Sequence, residues 1–96
     1  MRYFHRTSLS PEDVLAEAER YFGGRLEQVE SGDRSRTYSG AVGRIALVVR
    51  AEAGHYTLIT LTTDQVGESE ADKHAKRFLT EVHTRVHAGH VARGAY

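Results

Sequence analysis

The chain has 96 residues and no cysteine. That excludes a disulfide framework and any thiolate metal site. Net charge is missing too, because thirteen Lys and Arg balance thirteen Asp and Glu. The strongest compositional sign of a nucleic-acid or anionic-membrane binder is therefore absent. No apolar run approaches the ~20 residues of a membrane span. Met1 is followed at once by Arg2-Tyr3-Phe4-His5-Arg6, with no apolar signal-peptide core. The expectation is a soluble cytoplasmic protein with no membrane partner. Catalytic signatures are also lacking: there is no Gly-x-Ser-x-Gly, no phosphate loop and no His-Glu-x-x-His. Gly40-Ala41-Val42-Gly43 is too short for a dinucleotide fingerprint and reads as a turn between strands. Neither a cofactor nor an enzymatic activity is expected. The length is that of one domain, burying roughly 65% of the surface that its unfolded chain exposes.

The richest stretch is 43–63, GRIALVVRAEAGHYTLITLTT. Two runs of Val, Ile, Leu, Thr and Tyr flank Glu52-Ala53-Gly54, which reads as a β-hairpin. A three-residue loop suits the break, with Glu52 and Ala53 right-handed and Gly54 left-handed. That loop sets Ala51 opposite His55, Val49 opposite Thr57, Leu47 opposite Ile59 and Ile45 opposite Leu61. This face is apolar and is taken as the core face. The opposite face carries Ala46, Val48, Arg50, Tyr56, Leu58, Thr60 and Thr62.

Around this hairpin, Tyr3–Thr7 reads as a first strand. Ser10-Pro11-Glu12-Asp13 reads as a helix start. Ser10 is placed to accept the Asp13 amide, and Pro11, the single proline, sits where its missing N–H costs nothing. Leu9 and Val14 are spaced as a hydrophobic staple. Val14, Leu15, Ala18, Tyr21 and Phe22 form one stripe, and Gly23-Gly24, one of them left-handed, ends the helix. Residues 25–31 and 34–42 form a more polar hairpin around a Gly32-Asp33 turn. After a polar connection at 64–69, a long helix runs to about Ala88 with Ala71, Ala75, Phe78, Leu79, Val82 and Val86 on its apolar face. Glu68, Glu70 and Asp72 near its start, and Arg85 and His87 near its end, suit the helix dipole. The pairs Glu70–His74, Asp72–Lys76 and Glu81–Arg85 are expected on solvated faces. Gly89 is a plausible stop, with 89–96 as a tail.

The expected fold is a single α+β domain, β-α-β-β-β-β-α, an antiparallel sheet with both helices on one face. This order resembles the TATA-binding-protein-like arrangement and its elaborated relatives, the Bet v 1/START helix-grip proteins. The resemblance spans nearly the whole chain as element order. It implies a superfold that hosts nucleic-acid platforms, apolar-ligand carriers and interaction domains alike.

Three constellations carry chemistry. His83 and His87 are i,i+4 on the last helix, with His90 a turn further on. Zinc wants three or four ligands and no carboxylate lies within a turn on that flank, so no metal is expected there. His5, His55 and His74 read as single surface residues. Arg34, Arg36 and Tyr38 alternate onto one face. With Arg44, Arg50 and Tyr56 they are candidates for a nucleic-acid platform; Glu27, Glu30 and Asp33 offset them, and a charged edge hairpin accounts for them equally. The face of Ala46, Val48, Arg50, Tyr56, Leu58, Thr60 and Thr62 is left without a covering element. The function expected is therefore a non-catalytic interaction module, a homo-oligomer (a dimer) or the binder of a protein partner. The alternatives are a small apolar-ligand carrier, with its pocket between the sheet and the last helix, and a nucleic-acid platform on the open sheet.

Overall fold

The computed structural model describes residues 1–65 and 69–94, with 87–94 as helix backbone. Alternating runs give five strands, and two apolar stripes give two helices. They follow one another as β1 (Arg2–Thr7), α1 (Pro11–Gly23), β2 (Glu27–Gly32), β3 (Ser35–Gly40), β4 (Gly43–Glu52), β5 (Tyr56–Thr63) and α2 (Glu70–Gly94). The strands form one open antiparallel sheet in the order β1-β5-β4-β3-β2. Both helices pack on one side of it. The expected α+β class and element order are observed.

The helix starts follow local chemistry. Ser10 Oγ accepts the Asp13 amide at 3.1 Å, and Pro11 opens α1. Ser69 Oγ accepts the Asp72 amide at 3.1 Å and donates to Asp72 Oδ2 at 2.5 Å, an N-cap whose hydroxyl is itself held by the Asp72 carboxylate. The end of α1 differs from expectation. Gly24 is right-handed at φ −85°, and the amides of Arg25 and Leu26 both close onto Phe22 O. Helix α2 continues past Gly89 to Gly94, so the stop and tail expected from Gly89 are replaced by helix. A lone glycine costs a helix interior only about 1 kcal/mol, which the flanking turns can carry. Residues 95 and 96 lie outside the described residues.

The core lies between sheet and helices. Ile45, Leu47, Val49, Ile59 and Leu61 project from β4 and β5, and Val14, Ala18, Phe22, Ala71, Ala75, Phe78 and Val82 from the helices. The ring centroids of Phe22 and Phe78 are 5.0 Å apart, and those of Phe22 and Tyr38 5.1 Å. The expected core face is therefore the one buried, but the hairpin register differs by two residues. Glu52 pairs with Tyr56, Ala51 with Thr57, Val49 with Ile59 and Leu47 with Leu61. The loop is Ala53-Gly54-His55, with Gly54 at φ 84° and His55 at φ 65°. Histidine is one of the side chains that enters this region more readily. Glu52 stays on the strand, where it meets Arg6 and Arg50. Because strand side chains alternate with period two, a two-residue offset leaves the strand residues on their expected faces, while His55, expected opposite Ala51, moves into the turn.

The other hairpin shifts as well. Gly32 pairs with Ser35, so the turn is Asp33-Arg34, and a bulge falls between Gln28 and Glu30. Between β3 and β4 the turn is Ala41-Val42, and Gly43 sits at φ 122°. A Cβ at Gly43 would stand 2.7 Å from Asp64 Oδ1, whose carboxylate accepts the Arg44 amide at 2.9 Å.

Candidate interaction face

The side of the sheet away from the helices is built in rows. One row runs Phe4, Thr60, Val48, Ser35, Gly32 across β1, β5, β4, β3 and β2. The next runs Arg2, Thr62, Ala46, Thr37, Glu30. On the other side of the first lies Arg6, Leu58, Arg50. All seven residues expected on this face (Ala46, Val48, Arg50, Tyr56, Leu58, Thr60 and Thr62) lie on it. Val48 is 49% exposed and Tyr56 51%. Phe4, at 61%, belongs to the same surface.

Phe4, Arg2 and Arg6 were not legible as members of this face. Their alternation with Tyr3 and His5 is plain, but the partner strand decides which set faces the helices. The strand pairs with β5, and Tyr3 and His5 meet α2, so Phe4 turns outward.

Charge on this face is partly held. Arg6 Nε donates to Glu52 Oε1 at 2.8 Å, and Arg50 lies 3.6 Å from Glu52 Oε2. The Arg6 hydrogen bond, helped by Arg50, keeps the Glu52 carboxyl below its ordinary range. Asp64, beside Arg44, is likewise held down, mainly by the Arg44 amide and then by Gln65.

Arg34, Arg36 and Tyr38 do not join this surface. Tyr38 pairs with Ile45 and Arg36 with Leu47, which puts both on the helix side. Tyr38 is fully buried, and among the described residues its hydroxyl meets no hydrogen-bond partner. Burial, reinforced by Glu19, pushes that phenol up to about 12. Arg36 is held by Glu19 at 3.2 Å and by the carbonyls of Gly32 and Ser35, and Arg34 reaches Glu12 at 3.4 Å. The platform expected from these residues with Arg44, Arg50 and Tyr56 is thus divided between two sides of the sheet. The pairing of Gly40 with Gly43 decides this, because it sets Tyr38 opposite Ile45.

Two polar sites face the helices. Asp72, expected on a solvated helix start, is fully buried. Its Oδ1 accepts from Tyr3 Oη at 2.7 Å and Thr63 Oγ1 at 3.0 Å, and Ser69 binds Oδ2. Burial raises this carboxyl's affinity for a proton, but the hydrogen bonds from Ser69, Tyr3 and Thr63 outweigh it and hold Asp72 below its ordinary range. The N-terminal ammonium adds to this from its own bonds to Thr63 and Gln65. On the other side, Glu17 is buried between α1 and α2. It meets Arg85 at 2.7 Å and Arg20 at 3.3 Å, at the floor of a groove of about 260 Å3.

The histidines are not all single surface residues. His5 and His83 stack edge to face with centroids 6.4 Å apart, and His74 Nδ1 lies 3.4 Å from Tyr21 Oη. Desolvation, then His83, lowers His5 below the ordinary value of 6.5. His55 is exposed in its turn. The side chains of His87 and His90 lie outside the described residues. Among the described residues, no three His, Asp or Glu converge as metal ligands, and no helix is long and apolar enough to cross a membrane. No family model matches the chain, and no curated protein matches it.

Proposed function

We propose that this chain is a non-catalytic protein-interaction module of the cytoplasm that works through the open face of its sheet. One observation carries this. Both helices are seated on the Ile45/Leu47/Val49 side, leaving Phe4, Val48 and Tyr56 half exposed or more around Leu58 on the other. An antiparallel sheet facing only water usually presents polar residues at its central positions. A contiguous apolar patch on a small protein generally marks a contact site.

The filled core favours this reading over an apolar-ligand carrier. A carrier needs a cavity of a few hundred Å3 between sheet and helix. Phe22, Tyr38, Phe78 and Val82 occupy that space and are fully buried. A nucleic-acid platform has a second set of residues in its favour, since Phe4 and Tyr56 share the open face with Arg2, Arg6, Arg44 and Arg50. Aromatic stacking surfaces beside arginines suit single strands. Glu52 and Asp64 beside those arginines weigh against it.

Light scattering on the protein and on the variant Val48→Glu with Leu58→Lys tests the proposal. The parent is expected to exceed the mass of one chain, and the variant to fall to that mass with unchanged far-UV circular dichroism. A monomeric parent, or a variant that still associates, overturns it. Salt-sensitive binding of a labelled single-stranded oligonucleotide, lost on Phe4→Ala, would assign the face to nucleic acid instead.

A further inference from the structure

We propose that the occupant of the open face is a second copy of this chain, related by a two-fold axis parallel to the strands and lying over β4. The inference rests on the preceding reading of that face as a contact surface. Five strands at about 4.8 Å, each about seven residues long at about 3.3 Å per residue, give roughly 1,100 Å2 for two copies, just above the ~1,000 Å2 that a biological interface should clear. Closed two-fold pairing is the commonest arrangement of identical chains.

The orientation follows from how size and charge are distributed across the sheet. An axis along β4 lays β1 over the second copy's β2 and β5 over its β3, row upon row. In the central row, exposed Phe4 then meets Gly32, Thr60 meets Ser35, and Val48 meets its own copy. The one bulky aromatic of that row falls on the residue with no side chain. In the neighbouring row Arg2 meets Glu30, Thr62 meets Thr37, and Ala46 meets its own copy. Glu30, in β2, is exposed, as is Arg2. Opposite charges facing across a contact fix its register.

An axis perpendicular to the strands gives the reverse. It stacks β1 on β1, with Phe4 on Phe4 and Arg2 on Arg6, and brings the Glu27 and Glu30 edge onto itself. Like charges set opposite one another select against such a partner. In the favoured orientation Arg44 and Arg50 approach their own copies near the axis. Each has an acidic neighbour, Asp64 and Glu52.

The chain has no cysteine, so single cysteines report proximity cleanly with a short bifunctional maleimide. Val48→Cys is expected to link to its own copy. Phe4→Cys is expected to link to Gly32→Cys in a mixture of the two, and Arg2→Cys to Glu30→Cys, while Phe4→Cys alone gives little. Arg2→Glu should dissociate the pair, and adding Glu30→Arg should restore it. Efficient self-linking of Phe4→Cys, or a dimer in which neither mixture links, overturns the orientation while the open face stays the contact. A monomeric parent overturns both proposals.

Discussion

Removing the Asp72 carboxylate is expected to destabilise the protein more than any surface change. The side chain is fully buried and accepts from Tyr3, Thr63 and Ser69, joining β1, β5 and the start of α2. Asp72→Ala removes the acceptor of those three hydroxyls and leaves the Ser69 cap on the residue-72 amide in place. An unmet buried donor costs about 1–3 kcal/mol; three of them, less what the hydroxyls recover by rotating to new partners, should sum to about 3–5 kcal/mol. That is a large part of the 5–15 kcal/mol typical of a domain. Asp72→Asn keeps the shape but turns an amide donor toward a hydroxyl donor, so about 2 kcal/mol is expected. The assay is urea unfolding followed by far-UV circular dichroism across pH. The folded carboxyl titrates below its ordinary value of 3.8. Its contribution is therefore complete above that value and is lost as the pH falls through the lower, folded one. The gap between parent and Asp72→Ala should shrink on acidification over that interval. A cost under about 0.5 kcal/mol at neutral pH, the size of an ordinary surface substitution, would refute the reasoning.

Phe78→Ala, removing a fully buried ring packed on Phe22, should cost ~3–5 kcal/mol in denaturant titration, and an unchanged midpoint would mean that α2 docks elsewhere. Tyr38→Phe should leave stability unchanged or raise it by about 1 kcal/mol, because the buried hydroxyl has no partner among the described residues to lose; a clear loss in thermal unfolding would show that the hydroxyl is bonded. The folded pKa of His5 lies below 6.5, so the unfolded chain takes up its proton first as the pH drops. Stability should decline as the pH falls below that value, and the decline should be shallower in His5→Gln, with identical pH profiles counting against it.

Much of this architecture was written in local pattern. Period-two alternation separated Ile45, Leu47, Val49, Ile59 and Leu61 from Ala46, Val48, Leu58 and Thr60. The Ser10 cap and the stripes from Val14 to Phe22 and from Ala71 to Val82 depend on residues within a few positions of one another. Such features depend on φ/ψ preference and side-chain direction, which the chain carries without help from distant partners. The strand neighbours, the registers and the fate of single charges were decided only in three dimensions. β1 docks beside β5, so Phe4 turns outward and Tyr3 inward. Gly40 pairs with Gly43, so Tyr38 and Arg36 go to the helix side and do not join Tyr56. The ends of β1 and β5 meet the start of α2, so Asp72 leaves solvent and becomes a buried acceptor. Each of these outcomes depends on which distant surfaces become buried together, and the same local alternation is compatible with either face.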